Sequence, residues 1–293
     1  MKAGIIGLPK TGKTTIFNAL TQGERNTDKY APPSLEANIG VVQVADERID
    51  KLSELYKPKK TISATIEYHD YPGIFYKESE TSETALLSDI KNAEAFILVL
   101  RGFRDEELEG LYPLDTPLEQ FQHFQEEMLL YDLIIAEKRL EKIKLGYKRG
   151  VKTPAVQIEE KALHKIVDCL QINKPIKSIE LDNEEEKAIR GFQFFSAKPM
   201  LILINCNEDN INAWNETLNT FTEKDYQAYT IAGKFEEELS KLESEEAQMF
   251  MEDIGINESI RDRLTHWTYQ LMGYISFFTV GPDEVRAWTI EKG

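Results

Sequence analysis

Residues 7–14 read Gly-Leu-Pro-Lys-Thr-Gly-Lys-Thr, a complete G-x-x-x-x-G-K-[ST] phosphate loop. Its glycines, Gly7 and Gly12, let the backbone curl until several N–H groups converge on phosphate oxygens. A helix that starts on such a loop adds the positive end of its dipole to the same point. The loop residues Gly7, Pro9, Lys10, Thr11, Gly12, Lys13 and Thr14 are thus candidates for nucleotide contact. The Lys13 ammonium reaches the β- and γ-phosphates as the catalytic cation, and the Thr14 hydroxyl ligates Mg2+. In an empty loop the Lys13 side chain is expected to face solvent. The motif is short, so its context matters. Lys2-Ala-Gly-Ile-Ile6 reads as an apolar strand, and Ile16, Phe17, Ala19 and Leu20 fall at helical spacing. Strand, loop and helix in that order predict a nucleotide switch or NTPase.

A nucleoside triphosphate site also needs a second acid for Mg2+ and a group that reads the base. His69-Asp-Tyr-Pro-Gly73 ends an apolar strand in Asp70 and completes D-x-x-G. Asp70 can hold Mg2+ through water, and the Gly73 amide can donate to the γ-phosphate. An Asp-Pro-Gly turn would give the same letters, so the weight rests on distance and order after the loop. Further on, the apolar run 199–204 ends in Asn205-Cys-Asn-Glu208. Guanine readers of the N-K-x-D type use the aspartate to accept from the ring N–H and the exocyclic amine. The extra methylene of Glu208 displaces that geometry, and adenine presents an acceptor that no carboxylate satisfies. Asn205 is therefore the safer base-pocket residue, and guanine specificity should be degraded.

The elements that must carry these residues alternate along much of the chain. Apolar runs at 39–44, 62–68, 96–100, 200–204 and 226–231 read as strands, most of them separated by helical segments. That is an α/β fold, a mostly parallel sheet flanked by helices. Between 117 and about 197 the alternation stops. Leu118, Phe121, Phe124, Met128, Leu129, Asp132, Leu133 and Ala136 lie on a helical stripe that continues through Leu140 and Ile143 to Leu145. A break at 146–154 and a returning helix at 158–170 make an antiparallel, coiled-coil-like hairpin inserted between two strands. Helices at 236–242, 244–254 and 259–272 precede strands at 275–280 and 284–290, around the Gly281-Pro282 turn. The last strand has no obvious partner. The expected domains are 1–116 with 198–275 for the nucleotide, 117–197 for the helical insertion, and 276–293 for the start of another domain, apparently truncated.

Composition narrows the function further. The formal net charge of −16 over 293 residues opposes non-specific binding to nucleic acid, and nothing points to sequence-specific DNA recognition. Lys138, Arg139, Lys142, Lys144, Lys148 and Arg149 form a local basic concentration, read first as a solvated helix face. Cys169 and Cys206 alone make no disulfide framework, and the four histidines do not cluster at ligand spacing. No leader and no apolar run long enough for a bilayer are present, so the expected setting is cytoplasmic, without a membrane partner.

Together with the loop, Asn38-Ile-Gly-Val-Val42, Asp70-x-x-Gly73 and Asn205-x-x-Glu208 resemble the YchF-type, or Obg-like ATPase, family of Obg-related P-loop NTPases in the TRAFAC class. The most specific likeness is Gly281-Pro-Asp-Glu-Val-Arg-Ala-Trp-Thr-Ile-Glu-Lys-Gly293, similar to the start of that family's C-terminal β-rich TGS domain. Ser244-Glu-Glu to Gly255-Ile256 is similar to the helices before it. The resemblance implies a switch with slow ATP or GTP hydrolysis, Mg2+ as cofactor, and a ribosome or translation factor as partner in translation or stress responses. It implies that residues 10–15, Thr15 included, carry phosphates and Mg2+. It also places Ser34 at a switch position with a hydroxyl for Mg2+, Asn205 on the base, and Ala232 and Gly233 in the last base-side motif. On this resemblance the chain would be a divergent member. Residues 74–84 hold no glycine where the family has a glycine-rich second switch, Ile74 stands where ordinary GTPases orient water with glutamine, and 108–112 lacks an expected histidine. The alternative is a hydrolytically degenerate nucleotide-binding scaffold that acts through its hairpin. A small-molecule kinase, which shares the loop, would need an arginine-bearing lid that the sequence does not supply.

Overall fold

The structure, a computed structural model, describes residues 1–23, 37–74, 86–105, 116–253 and 258–292. The chain divides into two compact units, Met1–Gln120 with Met200–Gly293, and Phe121–Pro199.

The first unit is built on a six-stranded sheet of β1 (Lys2–Ile6), β2 (Asn38–Gln43), β4 (Thr65–Asp70), β5 (Ala95–Arg101), β6 (Met200–Asn205) and β7 (Gln227–Ile231). Its order is β2-β4-β1-β5-β6-β7, with β2 antiparallel to β4 and the other pairs parallel. The inner strands β5 and β6 are buried along their whole length, which is why they read as unbroken apolar runs. Edge strand β2 instead alternates, with Val42 buried and Ile39 and Val41 exposed. Helix α1 (Lys13–Thr21) leaves the loop after β1 and buries Ile16, Phe17, Ala19 and Leu20 in the core of this sheet. From β1 the sheet grows to β4 on one side and to β5 on the other, and the carboxyl ends of such strands are where open α/β sheets take their ligands.

Two expectations require correction. The apolar run 62–68 is not one strand: β3 (Lys60–Ile62) and β4 belong to different sheets, parted at Ser63 and Ala64. Periodicity along a segment reports which face is buried but not which neighbour its backbone bonds to. Strand β9 (Glu284–Glu291) is also not alone. It pairs with β8 (Tyr274–Val280) antiparallel and with β3 parallel, in the order β3-β9-β8. Its partner β3 lies far back in the chain, out of reach of any local reading. Val285 and Ala287 sink into the core shared with β1 and β4, while Trp288 and Ile290 stay 40% and 51% exposed on the outer face. There Ile275 opposes Ile290 and Phe277 opposes Trp288. The Trp288 Nε1–H donates to Thr279 Oγ1 at 2.9 Å, and the Arg286 guanidinium lies 4.2 Å from the indole centroid.

The second unit holds most of α3 (Pro117–Lys148), with α4 (Pro154–Gln171) and α5 (Asn183–Ile189). Ala136, Leu140 and Ile143 of α3 share a core with Ala162, Leu163, Ile166 and Leu170 of α4. Asp132 interrupts the apolar stripe for a reason: fully buried, it accepts from Phe195 N at 3.0 Å, Ser196 N at 2.8 Å and Ser196 Oγ at 2.7 Å. Thr153 caps α4, which starts with Pro154 at its first position. Arg139 leaves the basic face proposed from sequence, because it forks onto Glu159 with bonds of 2.6 and 2.7 Å. Among the described residues no helix is long and apolar enough to cross a membrane.

Glu185 ties α5 to α4. Its buried carboxylate lies 2.9 Å from Lys161 Nζ and 2.7 Å from Lys165 Nζ, and accepts from Asp182 N at 3.0 Å to complete a capping box. Lys161, then Lys165 and the Asp182 N–H, hold its carboxyl down to about 2, from an ordinary 4.5. The native state therefore binds fewer protons than the unfolded chain in that window. The resulting stabilisation is complete above pH 4.5 and is lost as pH falls towards 2. Glu185→Gln is expected to be less stable than wild type at pH 7 in urea unfolding, with a deficit that shrinks on acidification. A deficit that does not change with pH would show that the charge contributes nothing.

Candidate nucleotide-binding site

The phosphate loop is held from within. Lys10 takes a positive φ of 60°, Thr11 Oγ1 donates to Leu8 O at 3.2 Å, and the chain enters α1 through Gly12 at φ 89°. A side chain at Gly12 would place its Cβ 2.0 Å from Asn205 Nδ2, so only glycine fits. Pro9 and Thr15 are half-buried and Thr11 is buried.

Contrary to expectation, Lys13 does not face solvent. Its side chain is buried, and Nζ donates to Leu8 O at 2.7 Å and Gly7 O at 3.3 Å. The loop's curl points these carbonyls inward, where they accept from the ammonium. Burial pulls the Lys13 ammonium down to about 8, against the attraction of Asp70 and with repulsion from Lys10.

Strand register brings the second acid to the loop. Asp70 closes β4 opposite Ile5 of β1 on one side and Asn38 of β2 on the other. Its Oδ2 accepts from Thr14 Oγ1 at 2.8 Å and Asn38 Nδ2 at 3.1 Å, while Oδ1 is buried with no hydrogen-bond partner. Burial raises the carboxyl above its ordinary range, and Lys13, Thr14 and Asn38 pull the other way. An orphaned carboxylate oxygen beside a threonine hydroxyl is a donor set for a hard divalent cation. Among the described residues no group of three or more His, Cys, Asp or Glu could form a protein-only metal cage. That fits Mg2+, which takes one or two protein oxygens and completes its shell with phosphates and water. Ser34, the third expected ligand, lies outside the described residues.

Asn205 sits at the end of β6, paired with Arg101 of β5 and Ile231 of β7. Both ends of its buried amide are engaged: Nδ2 donates to Thr11 O at 3.0 Å, and Oδ1 accepts from Gly233 N at 3.0 Å. It therefore buckles the phosphate loop to the start of α7 (Gly233–Leu239), where Ala232 is the cap residue. Glu208 is exposed in the short turn Glu208–Asn210 that follows β6. Gly73 is pressed onto the loop, since a Cβ there would lie 2.5 Å from Pro9 N. Ile74 follows, buried, with its N–H on Gly7 O at 3.3 Å. The rest of the altered second switch, 75–84, and the segment 108–112 lie outside the described residues. The Asn38 contact with Asp70 escaped the sequence reading. Its signal was a polar residue on the inward face of an edge strand, in step with Val42.

The profile of the 50S ribosome-binding GTPase family matches residues 2–138. The ribosome-binding ATPase YchF of Bacillus subtilis is 34% identical over 301 residues, covering 100% of this chain and 82% of the relative. The chain belongs to the YchF family. The YchF of Pasteurella multocida is 32% identical over 297 residues, with 100% of this chain and 81% of that one covered. The solved YchF GTPase of Schizosaccharomyces pombe matches with a TM-score of 0.81 at 28% identity, over 100% of this chain and 81% of that one. The YchF-type fold inferred from motifs, a P-loop domain with a mostly parallel sheet flanked by helices, is the fold observed.

Lys13→Met keeps the length of the side chain and removes its charge. ATP affinity is expected to fall about tenfold or more, from loss of a charge-assisted phosphate contact. Burial holds the native Lys13 ammonium at about 8, whereas the unfolded chain keeps the ordinary 10.5. The unfolded state thus binds more protons across that window, and rising pH stabilises wild type relative to the variant. Calorimetry of ATP binding and unfolding curves across that range test both points. Unchanged binding would refute the site, and a flat stability difference would refute the buried charge.

Proposed function

We propose that this chain is a Mg2+-dependent nucleotide switch that binds ATP at least as well as GTP, hydrolyses it slowly and acts on the ribosome. The observation that carries the reading is the Thr14–Asp70 pair, with its unpartnered Asp70 Oδ1, at the mouth of a complete phosphate loop. The amides of residues 10–15 and Gly73 cradle the phosphates. Lys13 exchanges the Gly7 and Leu8 carbonyls for β- and γ-phosphate oxygens. Thr14, Asp70 and Ser34 hold Mg2+, which when bound neutralises charge on the transferring phosphate. An amide nitrogen carries two N–H donors. Asn205 spends one on Thr11 and keeps one for the purine, with Ala232 and Gly233 beside it.

Hydrolysis is slow because no described side chain stands ready to orient water. Ile74, at the position of the usual glutamine, is apolar and buried against the loop. Turnover on the order of 10⁻² per second or less is expected without a partner. The same observation favours a second reading, a scaffold that binds nucleotide and has lost turnover. Single-turnover hydrolysis compared with equilibrium binding separates them, since bound ATP that stays intact for hours supports the scaffold.

The Bacillus subtilis relative is a ribosome-binding ATPase, which supports ribosome association and a cytoplasmic setting for this chain. The working parts are the nucleotide domain at 1–116 and 198–275, the helical insertion at 117–197, and the β8–β9 hairpin as the start of a TGS-like domain at 276–293. Lys142, Lys144, Lys148 and Arg149, exposed where α3 turns into α4, offer the contact surface.

With glutamate at 208, GTP should hold no advantage over ATP, and Glu208→Asp should shift the ratio towards GTP. Dissociation constants for both nucleotides decide this, and a hundredfold wild-type preference for GTP, about 2.7 kcal/mol, would end it. Reversing Lys142, Lys144 and Lys148 to glutamate should weaken co-sedimentation with ribosomes and leave ATP binding intact. Equal co-sedimentation of variant and wild type would remove this surface from the proposal.

A further inference from the structure

We infer that Asn38 is a positioning residue for the nucleotide's divalent cation, acting through Asp70. The inference rests on the nucleotide-site reading above and assigns a task to a motif residue that this reading leaves idle. Asn38 and Asp70 are direct partners in the antiparallel β2–β4 ladder, so their side chains rise on the same face of the sheet. Asn38 Nδ2 donates to Asp70 Oδ2 at 3.1 Å, the same oxygen that accepts from Thr14 Oγ1 at 2.8 Å. Two donors on one oxygen fix the rotation of the carboxylate about its last bond. The other oxygen, Oδ1, is left buried and unpartnered, in one defined direction.

Asn38 suits that task chemically. A neutral amide holds the carboxylate without competing for its charge, as a lysine or arginine would. It does not titrate, so its hold does not vary with pH. It also occupies the oxygen that the cation does not need. The hold depends on register. Val42 is buried, while Ile39 and Val41 are 54% and 63% exposed, so β2 shows one face inward. A slip of one residue would turn Asn38 outward and send Ile39 or the backbone of Ala37 towards the carboxylate. Edge-strand register is thereby converted into the aim of a metal ligand. Outer partners of this kind set ligand orientation, and their loss lowers metal affinity by about 10- to 100-fold.

The test uses the full chain and two readouts of the cation. Asn38→Leu keeps the branched shape and removes the donor, Asn38→Ala removes both, and Val41→Ala on the outward face is the control. ATP dissociation constants are measured with and without Mg2+, and Mn2+ affinity for the ATP complex is measured by electron paramagnetic resonance. Thermal melts establish which variants fold. In both Asn38 variants, ATP binding without cation should stay within about twofold of wild type, and Mn2+ affinity should fall about tenfold or more. Val41→Ala should change neither. Unaltered Mn2+ affinity in a folded Asn38 variant would overturn the inference and leave the nucleotide site standing. An equal loss of ATP affinity with and without cation would also overturn it, because the residue would then merely support the loop. A wild-type chain whose ATP affinity ignores Mg2+ would overturn the inference and the site reading together.

Discussion

An ammonium taken out of water must be surrounded by oxygen, and this one requirement organises the nucleotide site. Lys13 is buried, so the loop itself acts as its solvent through the Leu8 and Gly7 carbonyls. Those carbonyls point inward only because the backbone curls through Lys10 and Gly12 at positive φ. Gly7 O serves twice, since it also accepts the Ile74 N–H. Ile74, the first residue after Gly73, is therefore bonded to the same carbonyl oxygen as the lysine. On the proposed function, phosphate entry would exchange oxygens around one nitrogen, and Gly7 O would relay that exchange to Ile74.

The remaining polar groups are aligned by strand register. Asn38, Asp70 and Ile5 stand side by side across β2, β4 and β1, and Arg101, Asn205 and Ile231 do so across β5, β6 and β7. Each functional residue is the last or first of its strand, where backbone bonding stops and a side chain becomes free to bond a loop. Asn205 uses that freedom to tie Thr11 to Gly233. The loop thus rests on the sheet through α1, and through an amide from a strand that the chain reaches only after the helical unit.

What was legible in the sequence was whatever its chemistry keeps contiguous. The phosphate loop, Asp70 at a strand end and Asn205 at another are each marked by a motif whose neighbours have the right periodicity. The buried β5 and β6 were equally plain, because a strand covered on both faces leaves an unbroken apolar run. The failures share a cause, which is contact at long range. The split between β3 and β4, and the seat of β9 between β3 and β8, depend on which distant backbone offers hydrogen bonds. The burial of Lys13 depends on where two carbonyls point, and Asn38 meets Asp70 only through register. Asp132 was visible as a polar gap in an apolar stripe, but its partners at Phe195 and Ser196 lie on the far side of α4 and α5 in the chain.

The outer face of the β3-β9-β8 sheet has a consequence for how molecules of this protein meet. Ile275, Phe277, Trp288 and Ile290 present a paired apolar ladder to solvent. Between two such faces the attraction is short-ranged and insensitive to pH. What opposes it is the formal net charge of −16, a longer-ranged repulsion that salt screens within about 10 Å at 0.1 M. That repulsion vanishes near the isoelectric point of about 4.9. At this face a short-ranged apolar attraction therefore competes with the charge of the whole chain. Mild acid lowers that charge and strong salt screens it, so either one weakens the repulsive side of the balance.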